Sequence, residues 1–233
     1  MDSLRGIISD LHVFLYGGIR TLPITLAGTM VILGLFTANY AMMFFLAGMI
    51  IVVPILSGIL NKLADLFMAM TGSEIFKVKT TDVCDFVIPY STLKTPSKVE
   101  FVNIVCTTSF AMICFFIGYI MTNAVELYKK KPEQGVDPAK VTNRTSRAVL
   151  AMASIAVFAI IVIGYRVASG CEPLIGYILG APIFALIGYG YYSAISSPMD
   201  GRLADLFGIT NRILPSSATT DKPIACIIDP NVS

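Results

Sequence analysis

Uncharged, largely apolar residues fill four runs of the chain, at 21–61, 101–125, 148–165 and 173–199. A helix needs about 20 residues to cross the hydrocarbon core of a bilayer, so each run is long enough, or nearly long enough, to do so. The first run is about twice that length and is predicted to fold back at 37–40. The pattern therefore predicts an all-α membrane protein, a helical bundle of about five transmembrane helices with four as the alternative count. The predicted spans are 22–38, 41–60, 101–125, 148–166 and 173–195.

The segments around these spans differ in character. Charged residues alternate with apolar ones over 1–20, which predicts an amphipathic helix lying at the membrane interface. The stretches Glu74–Lys79 and Val83–Tyr90 are rich in β-formers and predict a small extramembrane hairpin. The predicted organisation is an interfacial helix at 1–20, a transmembrane hairpin at 21–61, an extramembrane loop at 62–100, a transmembrane helix at 101–127, a basic connector at 128–147, a transmembrane helix pair at 148–199 and an extramembrane tail at 200–233.

Two local motifs predict where helices begin. Ser97 and Glu100 have the spacing of a capping box, which predicts that the third transmembrane helix begins directly after them. Asp137 followed by Pro138 offers an N-cap and a proline at the first helical position, which predicts a helix running from about 138 into the fourth span.

Composition and charge exclude several functions. Hydrophobic residues make up 55% of the chain and the formal net charge is only +2, so we expect no nucleic-acid partner. His12 is the single histidine, and no nucleophile stands beside a base, so we predict neither an enzyme nor a metal or cofactor site. The uncharged runs also lack the ionisable groups that pumps and transporters normally carry inside their spans.

The distribution of Lys and Arg bears on orientation. With five spans the two sides carry nearly equal numbers, so the positive-inside rule does not choose between them. With four spans, the N-terminal segment, the 128–147 connector and the tail share one side, with 11 basic residues against 6. The four-span count therefore predicts that both termini are cytosolic.

A short sequence appears twice, each time after a predicted span. The shared residues are Leu63, Ala64, Asp65, Leu66 and Phe67 in the first copy and Leu203, Ala204, Asp205, Leu206 and Phe207 in the second. An internal duplication is one interpretation, and in transporters such repeats frame a substrate site. The alternative is that these residue types are simply common at interfacial helix ends.

Small residues in the fifth predicted span form a GxxxG motif. Gly176 and Gly180 are four residues apart, and Gly188 continues the same face. Small residues allow close helix approach, so the motif predicts either homodimerisation or packing of spans four and five within one subunit.

The five cysteines fall into three groups. Cys106 and Cys114 lie in the third predicted span and are expected to be packing residues. Cys84 and Cys171 lie on the same side of the membrane in either span count, where they could form a disulfide if that side is oxidising or remain free thiols. Cys226 is left in the tail.

Two stretches carry a resemblance to a known class of protein. They are Cys84–Tyr90 with Thr95–Ser97, and Cys171–Gly176 continuing to Asp205–Ile209 and Pro215. They resemble polytopic membrane proteins of large double-stranded DNA viruses of algae and protists, at scattered positions over most of 84–226. In that family such proteins are thought to lie in the membrane beneath the icosahedral capsid. The resemblance implies a virion inner-membrane location and capsid or minor capsid proteins as partners.

These observations lead to two hypotheses of different classes. The first is a non-enzymatic structural protein that links the bilayer to capsid proteins through the 62–100 loop and the tail, with possible self-association through its glycines. The lysines expected to lie at the docking surfaces are Lys77, Lys79, Lys94, Lys98 and Lys222. The second hypothesis is a small transporter or channel subunit built on the internal repeat.

Overall fold

The computed structural model describes residues 21, 24–36, 40–72, 75–79, 101–130, 138–197, 204 and 206. Within them the chain is a helical bundle with one two-stranded sheet, as the fold-class prediction stated. The interfacial helix predicted at 1–20, the Val83–Tyr90 stretch and most of the 200–233 tail lie outside the described residues.

Five helices make up the described bundle. They are α1 (Ile24–Phe36), α2 (Tyr40–Thr71), α3 (Thr108–Lys129), α4 (Pro138–Ala168) and α5 (Gly176–Ser196). Within the described residues, α2 to α5 are long and apolar enough to cross a membrane, and α1 is a shorter apolar helix. At 1.5 Å per residue its residues 24–36 extend roughly 20 Å, and Thr21 is helical as well. The described residues therefore favour the four-span alternative.

A proline follows a widened helical turn in two of the long helices. The turn at Gly48–Val52 in α2 is a π-helix and precedes Pro54, and the turn at Gly176–Gly180 in α5 precedes Pro182. Proline has no N–H and its ring clashes with the carbonyl four residues earlier. A π turn relieves that clash, so each helix continues through its proline.

Two predicted boundaries moved and a third is confirmed. The α2 helix runs on to Thr71, where Gly72 ends it in the left-handed conformation, so residues 62–71 are helical although they were predicted to be loop. The third span begins at Thr108, not after Glu100, because Thr107 caps the helix by accepting a hydrogen bond from the Phe110 N–H. The prediction of α4 from Pro138 is confirmed.

A short antiparallel sheet replaces the first residues of the predicted third span. Strand β1 (Lys77–Lys79) pairs with β2 (Phe101–Asn103), with Val78 opposite Val102. The predicted hairpin thus draws one strand from a run that was assigned to the membrane. An uncharged run rich in β-branched residues is compatible with strand or helix, so the absence of charge alone could not place this boundary.

The central helix of the bundle is α3, which packs against α2, α4 and α5. The core around α3 is aromatic. The centroid of the Tyr119 ring lies 4.9 Å from that of Phe45 and 5.3 Å from that of Tyr192, and both ring pairs are nearly edge-on. By contrast, α4 leaves large apolar side chains such as Leu150 and Ile160 exposed. Such outward side chains suit a helix that faces lipid.

Glycines bring α3 and α5 into close contact. A Cβ atom at Gly118 would overlap the Ala185 backbone carbonyl, and one at Gly188 would overlap the carbonyl of Phe115. Gly176 and Gly180 face Val105 and Cys106, just before α3. The glycines of the GxxxG motif therefore face α3 and the segment that leads into it, and the predicted packing of the fourth span on the fifth through these glycines is wrong.

Candidate functional site

A buried ion pair lies at the end of the bundle where α4 ends and α5 begins. Arg166 occupies the last turn of α4, and the chain then turns through Gly170, whose φ of 64° favours glycine. This turn brings the Glu172 carboxylate back to the guanidinium, with 2.5 Å between Arg166 Nη2 and Glu172 Oε1. Both side chains are almost completely buried.

Thr107 completes this site, which we call the ion-pair cluster (Thr107, Arg166 and Glu172). The Thr107 N–H donates to Glu172 Oε2 at 2.8 Å, and its hydroxyl donates to Oε1 at 2.6 Å. Arg166 Nη2 also donates to the Thr107 hydroxyl at 2.7 Å. The carboxylate thus lies at the N-terminus of α3, where the helix dipole favours a negative charge. The cluster joins α3, α4 and the start of α5.

The Phe110 ring covers the cation of this cluster. The Arg166 guanidinium carbon lies 5.4 Å from the ring centroid, within the range of a cation–π contact. Glu172 accepts hydrogen bonds at both carboxylate oxygens. These hydrogen bonds fix the position of the carboxylate. The cluster has no net charge, and it holds the helices together.

Asn61 of α2 binds the same end of α3. Its Oδ1 accepts from the Val105 N–H at 2.9 Å, and its Nδ2 donates to the Cys106 carbonyl at 3.2 Å. These residues connect strand β2 to α3, so Asn61 fixes the point where the extramembrane loop returns to the membrane. Burial raises the pKa of the neighbouring Cys106 thiol well above its usual range, so this free thiol stays protonated.

We expect Asn61→Leu to lower the free energy of unfolding by about 2 kcal/mol, because it leaves backbone groups of Val105 and Cys106 without their partner. The measurement is denaturant unfolding in detergent micelles. Lys62→Gln, at the exposed neighbouring position, is the control and should change little. Equal stability of the two variants would contradict the role given to Asn61.

A second polar cluster, the tail anchor (Tyr119, Asn123 and Tyr192), lies toward the other end of α3. The Tyr119 hydroxyl donates to the Ala204 carbonyl at 3.1 Å, and the Leu206 N–H donates to Asn123 Oδ1 at 3.2 Å. Asn123 Nδ2 lies 3.4 Å from the Tyr192 hydroxyl. Ala204 and Leu206 are buried. The root of the tail is therefore held inside the bundle.

The two copies of the repeated motif differ in structure. Leu63–Phe67 lies within the α2 helix, where Ala64 is buried. In the second copy the structure describes Ala204 and Leu206, and neither is helical. The sequence similarity thus does not extend to the same local structure, and Leu203, Asp205 and Phe207 lie outside the described residues.

Other predicted site residues have mixed outcomes. Cys171 is disulfide-bonded, while Cys106 and Cys114 are free, so its partner lies outside the described residues and the pairing with Cys84 stays a prediction. Lys77 is exposed in β1, and Lys79 ends the same strand. Lys94, Lys98 and Lys222 lie outside the described residues. In the part of the chain that the structure describes, no group of three His, Cys, Asp or Glu side chains could hold a metal.

The sequence analysis missed the ion-pair cluster. It placed Arg166 and Glu172 outside the uncharged runs and treated the spans as free of ionisable groups, whereas Arg166 is buried in the last turn of a helix long enough to span. One signal was present: a cation and a carboxylate six residues apart, with a Ser-Gly-Cys turn between them. Asn61 and Asn123 carry no comparable signal.

No protein-family model, curated protein or solved structure was found to match this chain. The described residues form a helical bundle in which four helices are long and apolar enough to span a membrane, and polar groups bind the central helix toward both ends.

Proposed function

We propose that this chain is a non-enzymatic structural protein of a viral inner membrane, which links the bilayer to capsid or minor capsid proteins. The 200–233 tail is the segment that binds those partners, since four spans place it on one side of the bilayer and the segment after Thr71 on the other. The viral assignment rests on the resemblance carried by Cys84–Tyr90 and Cys171–Gly176.

The observation that carries the linking role is the attachment of the root of the tail to α3, the central helix of the bundle. Asn61 binds the residues through which the loop returns to α3, and Asn123 of α3 binds Leu206 at the root of the tail. A force on either segment would be transmitted directly to α3, which is packed against α2, α4 and α5. A flexible attachment would not transmit position from the membrane to a rigid protein shell.

The hydrogen bonds of the Glu172 carboxylate and of the tail anchor favour this role over transport. A transport path needs polar groups that can exchange partners with an ion or solute. In the ion-pair cluster, the carboxylate of Glu172 is already occupied by Thr107 and Arg166. Tyr119 and Asn123 are likewise engaged with the tail.

Crosslinking mass spectrometry on native particles or membranes tests the proposal. We expect lysine crosslinks to capsid-type proteins from Lys222 in the tail and none from Lys77, which four spans place on the opposite side of the bilayer. Crosslinks only between copies of this chain would contradict it. Purified protein in vesicles gives a second readout, because ion or solute flux above that of empty vesicles would favour the channel hypothesis.

A variant of the tail anchor tests how the link works. Asn123→Leu removes the acceptor for the Leu206 N–H and should reduce partner capture while the protein still inserts into membranes. Deletion of 208–233 should abolish capture. Thr122→Ala is the matched control, since the Thr122 hydroxyl bonds only within its own helix, to the Gly118 carbonyl. Unchanged capture by the deletion variant would remove the tail from the proposal.

A further inference from the structure

The charges of α4 define two levels in the membrane. Arg147 and Arg166 flank its uncharged stretch of residues 148–165. At 1.5 Å per residue that stretch is roughly 27 Å long, close to the thickness of the hydrocarbon core, about 30 Å. Both arginines therefore lie near the lipid headgroups, at opposite faces of the bilayer. Arg166 is buried and neutralised by Glu172, whereas Arg147 is exposed.

Other cations surround Arg147 at this face. The α3 helix ends at Lys129, and Lys129 and Lys130 are both exposed. Arg144, one turn before Arg147, donates from Nη2 to the Lys130 carbonyl and so joins the start of α4 to the end of α3. We call Lys129, Lys130, Arg144 and Arg147 the cationic end.

The cationic end is not neutralised by the described part of the protein. The Arg166–Glu172 contact is an ion pair, but none of these four residues has one within the described residues. Glu126, on the last turns of α3, is the nearby described carboxylate and is itself exposed. In addition, Arg144 Nε is buried and has no hydrogen-bond partner. An unsatisfied guanidinium donor is costly, so this nitrogen calls for an acceptor beyond the described residues.

We propose that the cationic end binds the phosphate group of an anionic phospholipid in the adjoining leaflet. Guanidinium and ammonium groups bind phosphate oxygens through charge-assisted hydrogen bonds, and Lys129, Lys130 and Arg147 are exposed for such contacts. Clusters of Lys and Arg beside membrane spans are attracted to anionic lipids. The level of Arg147 in the bilayer makes a lipid headgroup the nearest source of phosphate.

Native mass spectrometry of the full chain in detergent micelles tests this site, with phosphatidylglycerol and phosphatidylcholine as the two probes. We expect wild-type protein to retain phosphatidylglycerol in preference to phosphatidylcholine. The triple variant Lys129→Gln, Lys130→Gln, Arg147→Gln should bind phosphatidylglycerol about 100-fold more weakly, because each basic residue at a membrane surface contributes about fivefold. Equal retention by wild type and triple variant would overturn the proposal.

Two controls separate the site from general charge. Lys62→Gln with Lys77→Gln removes cations from the opposite end, and binding should stay within about twofold of wild type because charges far beyond a Debye length are screened. Arg147→Lys keeps the charge at an exposed position and should bind phosphatidylglycerol within about threefold of wild type, and a loss as large as that of the triple variant would overturn the charge-based assignment. Displacement of the lipid by an equal concentration of inorganic phosphate would overturn the lipid assignment in favour of a small-anion site. Unfolding curves of each variant establish that the fold is kept.

Discussion

Glu172→Gln is expected to lower the free energy of unfolding by about 3–5 kcal/mol, the usual cost of leaving one member of a buried ion pair without its partner. Gln keeps one acceptor oxygen but has an NH2 group in place of the other, so the loss combines the uncompensated charge of Arg166 with one lost hydrogen bond from Thr107. Both side chains are nearly inaccessible to solvent, which leaves little room for water to take the place of the carboxylate. The measurement is reversible unfolding in mixed micelles with increasing denaturing detergent.

The matched variants for this pair remove both charges or an unrelated one. Arg166→Met combined with Glu172→Gln should recover most of the lost stability, because no isolated charge remains buried. Asp65→Asn, at an exposed position of α2, should change stability by no more than about 0.5 kcal/mol. If the double variant were no more stable than Glu172→Gln alone, the charge argument would fail.

Gly118→Val is expected to cost about 3 kcal/mol, the upper part of the range for overpacked cores. A Cβ at this position would overlap the Ala185 carbonyl, which is backbone of the facing helix and cannot move aside as a side chain can. The variant must therefore separate α3 from α5. The first measurement is the unfolding midpoint, which should fall. The second is disulfide crosslinking between cysteines engineered into the two helices near Tyr119 and Tyr192, which should become less efficient as that contact is lost.

Gly190→Ala is the control on the facing helix. A Cβ there meets nothing within 4 Å, and alanine favours a helix over glycine by about 1 kcal/mol. We expect this variant to be as stable as wild type or slightly more so. If Gly118→Val were equally well tolerated, the close contact between α3 and α5 would be disproved.

The sequence predicted the class of fold well because a bilayer imposes a simple rule on the chain. Spans must be long and nearly free of charge, so runs of uncharged residues located α2 to α5. The same rule failed where polarity does not distinguish conformations. Residues 101–103 are uncharged yet form a strand, and residues 62–71 contain charges yet continue a helix.

The polar clusters were much harder to predict, because they depend on contacts between residues far apart in the chain. Thr107 and Arg166 are 59 positions apart, and Asn123 meets Leu206 across 83 positions. The residues around a single asparagine in a helix do not show whether its side chain binds water, a neighbouring helix or the root of a tail. Only the packing of α3 among α2, α4 and α5 decides which of these occurs.

The central position of α3 also constrains the order in which the protein is made. Helices α2 and α3 emerge from the ribosome before α5, whose glycine face covers α3. Until α5 is made, one side of α3 contacts lipid or the insertion machinery. Arg166 is also synthesised before Glu172, so its charge is not yet neutralised at that stage. The native bundle is complete only once Leu206 has reached Asn123. Biogenesis of this protein is therefore expected to hold its spans together at the insertion machinery and to release them as a group.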